Sequence, residues 1–219
     1  MNYFNLHTHK ATNQTDVLEL VNQYPNTFDK TIPFFSIGIH PWHIEENRVE
    51  ADLEIIISQM QNKNCLAIGE CGIDKRIEID FDLQIAVFEK QLILAEKFKK
   101  PVIVHCVGAF QEVITIKKKL KITVPMVIHG FSKNEQIAKS LIDNGFYLSF
   151  GKYLIQSPAL ENVFKTIPND KFFLETDTTD NLIESVYALA AKYKNFEISK
   201  LQNTINTNFK TVFGAITTI

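Results

Sequence analysis

His7 and His9 flank Thr8 at a period of two, so on an extended strand both imidazoles turn to one side and can reach one ion. Glu70 closes the apolar run Ala67-Ile68-Gly69 and is followed at once by Cys71-Gly72. The same order, apolar residues and then a ligand-type side chain, recurs elsewhere. Ile103-Val104 leads into His105, Val127-Ile128 into His129, and Phe172-Phe173-Leu174 into Glu175, Thr176 and Asp177. A single histidine after a strand is more often a hydrogen-bonded loop or core residue than a ligand. Imidazoles and carboxylates gathered at the same end of several strands are harder to explain, because packing alone favours apolar residues there. The pattern points to a metal centre of nitrogen and oxygen donors with Glu70 in its middle. No histidine stands with an activated serine or cysteine, which argues against a covalent nucleophile.

Ligands at strand ends converge only if the strands end on one face, which an alternation of parallel strands and helices provides. The patterning predicts strands over 3–6, 17–21, 33–39, 65–69, 102–104, 124–128, 146–150 and 171–174. Helices are expected over 50–61, 81–100, 110–120, 134–144, 157–166, 181–193 and 199–213. The stretch around Val17 to Val21 fits either a short helix or a strand; the strand reading is taken because it completes eight. Ile85, Phe88, Leu92 and Ala95 step by threes and fours as a core-facing stripe, and Pro101 stops that helix. Asn144-Gly145 reads as a left-handed cap, Pro158 as a first helical position and Ser199 as an N-cap. The expected fold is α/β, a TIM (β/α)8 barrel shortened near its N-terminus, forming one domain over residues 1–219.

Bulk properties narrow the class further. A net charge of −2 gives no global basic field to advertise a nucleic-acid partner, although a site that holds phosphate on metal ions needs none. Lys117, Lys118, Lys119 and Lys121 read as a solvated helix face. The three cysteines are odd in number; Cys71 and Cys106 read as small fillers beside the ligands, and a disulfide framework is not expected. With no apolar span long enough for a bilayer and no secretory leader pattern, the expectation is a cytoplasmic protein without a membrane partner or an obligate protein partner.

Six motifs, taken together and in order, resemble the TatD family of metal-dependent deoxyribonucleases. They are Asn5-Leu6-His7-Thr8-His9, Gly38-Ile39-His40-Pro41, Ile68 to Asp74, Val102 to Cys106, Val127 to Ser132 and Leu174 to Asp177. The resemblance covers nearly the whole chain. It implies that His7, His9, Glu70 and Asp177 hold one divalent ion and that Glu70, His105 and His129 hold a second, with Glu70 bridging. Such ions, with zinc, magnesium or manganese as candidates, polarise a phosphodiester and lower the pKa of a water. DNA is the substrate the resemblance implies. Asp177 is then the candidate to orient that water and accept its proton, Glu70 the bridging catalytic carboxylate, and His40 a contact to phosphate or leaving group. Asp74, Phe131 and Ser132 are candidate substrate contacts; Asp74 serves equally well as a brace for its loop, and Phe131 as packing. His43 reads as a surface residue.

The chain departs from the family pattern in three places. The segment from His9 to Pro33 is short, Cys106-Val107-Gly108 offers no arginine after His105, and Asp177 runs almost directly into the last helices without a proline- and arginine-bearing loop. Each departure removes a phosphate or base contact and keeps alive a small-molecule amide, lactone or phosphoester hydrolase with the same centre. A non-catalytic scaffold barrel is the third reading, opposed by the cost of burying unpaired charged groups.

Overall fold

β-Branched and aromatic runs separated by amphipathic stretches should alternate as strand and helix, and from Phe35 onward they do. The computed structural model describes residues 2–12 and 14–215. Its strands are β1 (Tyr3–Thr8), β2 (Val17–Gln23), β3 (Phe35–Ile37), β4 (Cys65–Asp74), β5 (Val102–Val107), β6 (Met126–Ile128), β7 (Phe146–Phe150) and β8 (Phe172–Leu174). They form one eight-stranded sheet in sequence order. The segment that leaves β8 returns to β1 through an isolated parallel bridge between Thr8 and Asp177, in keeping with the strand order of a (β/α)8 barrel. The helices are α1 (Val49–Gln59), α2 (Phe81–Phe98), α3 (Phe110–Lys119), α4 (Glu135–Asp143), α5 (Lys152–Gln156), α6 (Leu160–Thr166), α7 (Ile183–Lys194) and α8 (Ile198–Phe213). Among the described residues no α-helix follows β1 or β2, only a 3-10 turn at Pro25–Thr27, so the N-terminal shortening stands. No helix of the described residues is long and apolar enough to cross a membrane.

Several expectations need correction. β4 and β5 run past their predicted ends, so Glu70 and His105 lie within strands. Glycine is the reason. A Cβ on Gly69 would lie 2.3 Å from the Ile103 carbonyl oxygen, and one on Gly72 1.9 Å from that of His105. Backbone approach this close needs glycine, and it lets pairing continue from Gly72–His105 to Asp74–Val107 after a register shift. The helix predicted over 157–166 begins only at Leu160, as α6, with Pro158 in the turn before it and not at its first position, and the short helix α5 ahead of that turn was not expected. Ser199 lies inside α8, whose N-cap position is Glu197. Asn134 does cap α4 by accepting from the Ile137 amide, and Gly145 takes the left-handed φ of 77°.

The chain divides into two compact units, Met1–Leu20 with Ile128–Ile219, and Val21–Val127. In the second, α2 buries Val87, Phe88, Leu92 and Ala95. The same helix carries two buried glutamines that bind backbone. Gln91 accepts from the Ile39 amide at 2.7 Å and donates to the Ile39 carbonyl at 3.1 Å, fixing the approach to His40. Gln84 accepts from the Asp74 amide at 2.9 Å. From β2, Asn22 accepts from the Glu70 amide at 2.7 Å.

In the first unit Phe4 of β1 and Phe173 of β8 meet edge-on and pack against Phe209 and Phe213 of α8, which stack on each other. The Tyr187 hydroxyl on α7 accepts from the Phe4 amide and donates to the Phe4 carbonyl, both at 3.1 Å. Asn5 donates to Thr176 Oγ1 at 2.8 Å and accepts from its amide at 3.0 Å, locking β1 to the end of β8. Tyr187→Phe leaves two buried backbone groups of β1 without that hydroxyl, so it should lower stability by about 1–3 kcal/mol. Urea denaturation followed by circular dichroism checks this; an unchanged midpoint would contradict it.

Candidate metal centre

In the Val21–Val127 unit the site is built on Glu70, which is buried. His105 Nδ1 lies 2.9 Å and His40 Nε2 3.1 Å from Glu70 Oε1. His105 Nε2 lies 3.3 Å from Asp74 Oδ2, so this imidazole stands between two carboxylates. Asp74 is only 1% exposed and also accepts from the Trp42 indole at 2.9 Å and the Arg76 amide at 2.9 Å. Burial pushes the Asp74 carboxyl up, but the bonds from Trp42, Arg76 and His105 outweigh it and hold the group below its ordinary value. His40 Nδ1 accepts from the Trp42 amide at 3.1 Å, which leaves Nε2 of the neutral ring as the donor toward Glu70.

In the other unit His7, His129 and Asp177 bring one ligand atom each within 4.8 Å of one another. His7 is fully buried and its ring centroid lies 4.5 Å from that of His129. His9 Nε2 stands 3.5 Å and His7 Nε2 3.9 Å from Asp177 Oδ1, so the HxH pair does turn to one carboxylate. Asp177 adopts φ 57°, uncommon outside glycine, and is held there because its amide donates to the His7 carbonyl at 2.9 Å. Its other oxygen, Oδ2, accepts from Lys152 Nζ at 2.6 Å. Burial would raise this carboxyl; the bond from His9, the fields of His129 and His7, and the bond from Lys152 together drive it far below the usual carboxylate range. Glu175 stands behind His129, with Oε1 3.4 Å from Nδ1 while accepting from the Gly130 amide at 2.8 Å.

The donor chemistry fits divalent metal. His105 with Asp74, and His129 with Glu175, each present an imidazole backed by a carboxylate, the arrangement that orients a metal-ligating ring. Mixed imidazole and carboxylate donors suit zinc, manganese or iron better than magnesium. The cysteines are inert by comparison. All three are buried and free, and burial pushes the thiols up, Cys65 to about 11 and Cys106 to about 12.

Among the predicted substrate contacts, Ser132 is half-buried, while the Phe131 ring is 2% exposed and packs 5.6 Å from Phe150. Phe131 therefore fills the core and shows no face to a ligand. His43 is exposed, as its sequence suggested. On α3, Lys119 pairs with Glu89, as a solvated face should. Sequence reasoning passed over Lys152, Trp42 and the brace role of Glu175. Lys152 had a signal, since it follows Phe150-Gly151 at a strand end as the histidines follow theirs. Trp42 had only its place beside His40-Pro41.

Together, the order of parallel strands and the carboxylate–imidazole groups define a (β/α)8 barrel that carries donor sets able to hold a divalent ion. The family model described as TatD related DNase matches residues 2–214, and the chain belongs to that family. An uncharacterized metal-dependent hydrolase of Haemophilus influenzae is 30% identical over 155 residues, 67% of this chain and 59% of that protein. The 3′-5′ ssDNA/RNA exonuclease TatD of Erwinia tasmaniensis is 30% identical over 177 residues, 76% of this chain and 64% of that one. The aligned region thus spans about three fifths of the length of such relatives. The crystal structure of the Escherichia coli TatD homologue YjjV superposes with TM-score 0.83 at 18% identity, covering 98% of this chain and 99% of that one, which shows the fold.

The Asp74 carboxyl, held below its ordinary 3.8, should contribute stability that is present above about pH 4 and is lost as the pH falls through its folded value. In chelator, wild type should therefore exceed Asp74→Asn in stability near neutrality, with the gap closing below pH ~4. Urea titrations at stepped pH read this; a gap that widens in acid would contradict it.

Proposed function

We propose that the chain is a metal-dependent hydrolase that cleaves phosphodiester bonds of DNA. The observation that carries this is the His105 imidazole set between Glu70 and Asp74, a ring backed by the Asp74 carboxylate at Nε2 with its Nδ1 beside the second candidate ligand, Glu70. The proposed ligands are Glu70 and His105 in one unit, and His7, His9, His129 and Asp177 in the other. Bound divalent ions supply the polarisation of the phosphodiester and the lowered pKa of a water.

The chain's own residues do the rest. Asp177, with one oxygen held by Lys152, orients the attacking water through the other. His40, fixed by the Trp42 amide, would turn its Nε2–H from Glu70, once that carboxylate takes a cation, to a phosphate oxygen or leaving group. Family membership and the exonuclease relative from Erwinia support nucleic acid over a small ester.

Hydrolysis of a 5′-labelled single-stranded oligonucleotide tests the proposal. Chelated protein should be inactive, protein reloaded with manganese or zinc should shorten the strand, and Glu70→Ala should fall to background. No shortening with any divalent ion, from protein that binds metal, would overturn it and favour a small-molecule substrate.

A further inference from the structure

Trp42 is the most exposed large apolar side chain among the described residues, at 55%, yet it is not loose. Its indole N–H is committed to Asp74, a carboxylate that is itself almost wholly buried and bonded from two further sides. A tryptophan whose task is packing buries its ring, because apolar area left in water forfeits most of the gain. Here the polar edge is anchored and the apolar face is left open. That face stands next to the candidate ligands, with its centroid 6.0 Å from that of His105 and 5.3 Å from that of His40. The exposed Arg76 guanidinium attaches to the same brace from the other side, with Nε 3.7 Å from Asp74 Oδ1. An anchored open indole and an exposed cation on one carboxylate are the two parts of a single-strand subsite, a surface for a base and a charge for its phosphate.

We propose that Trp42 is a stacking platform for an unpaired nucleobase of the strand, with Arg76 taking that nucleotide's phosphate. The inference rests on the nucleic-acid reading above and adds to it the residue that grips the strand beside the metal ligands. It also accounts for a chain that lacks the arginines its family pattern led one to expect. Stacking needs no sequence-specific hydrogen bond, so the subsite should accept any base and refuse a strand that has none.

Trp42 is the sole tryptophan, so its emission reports this surface directly. Metal-loaded protein would be titrated with a cleavage-resistant phosphorothioate octamer of thymidine and with a matched abasic octamer, using intrinsic fluorescence and the anisotropy of 5′-labelled strands. The thymidine strand should quench Trp42 and bind about 5- to 150-fold tighter than the abasic strand. Trp42→Ala should abolish that discrimination, and Trp42→Phe, which keeps a ring but loses the bond to Asp74, should retain part of it. A purely structural role would weaken both strands alike and leave their ratio unchanged. Equal binding of the two strands by wild type, or undiminished discrimination in Trp42→Ala, would overturn the platform; if the unmodified strand is still cleaved, the nuclease reading survives. Failure to bind either strand, with no cleavage, would overturn both.

Discussion

Charged groups cannot be left unpaired inside a protein, and Glu70, Asp74, Glu175 and Asp177 are all buried. Each is held by donors that the fold must deliver to it. Around Glu70 these are His40 and His105, with Asn22 fixing its backbone. Around Asp74 they are Trp42, the Arg76 amide and His105. Asp177 is held by Lys152 with His7 and His9 close by, and Glu175 by the Gly130 amide beside His129. Much that looks like incidental polar decoration of the core follows from this need. Gln84, Gln91 and Asn5 are buried amides that hold backbone, because a carboxylate is only as well placed as the chain that carries it.

The glycines of β4 serve the same need. Gly69 and Gly72 flank Glu70-Cys71 and let β4 approach β5 more closely than any side chain would permit. That approach sets the Glu70 carboxylate against the His105 ring. The strand continues beyond the carboxylate to Asp74, so one strand carries both partners of one imidazole.

The parts of this arrangement that were legible in the sequence are those with a local signature. Strand cores such as Phe146 to Phe150 declare themselves by composition, and α2 by its stripe. The histidines declare themselves by following such runs. What escaped was set by tertiary contact. Nothing local says that β4 continues through Gly72, that a separate short helix precedes the turn at Pro158, or that Phe131 turns into the core while Lys152 turns to Asp177. That Asp74 braces its own loop was one of its two readings, but its bonds to Trp42, 32 residues distant in the chain, and to His105 had no local sign. Short connections after β1 and β2 were legible because they are a matter of length alone.

The claim on which the account stands is that these carboxylate–imidazole groups hold divalent cations. Anomalous diffraction from crystals grown with manganese, recorded on wild type, tests it without reference to any substrate. The account predicts anomalous peaks within coordination distance of Glu70 and His105 and of His7, His129 and Asp177, absent from crystals soaked in chelator. A map without density at either group, or with manganese confined to surface carboxylates, would contradict it.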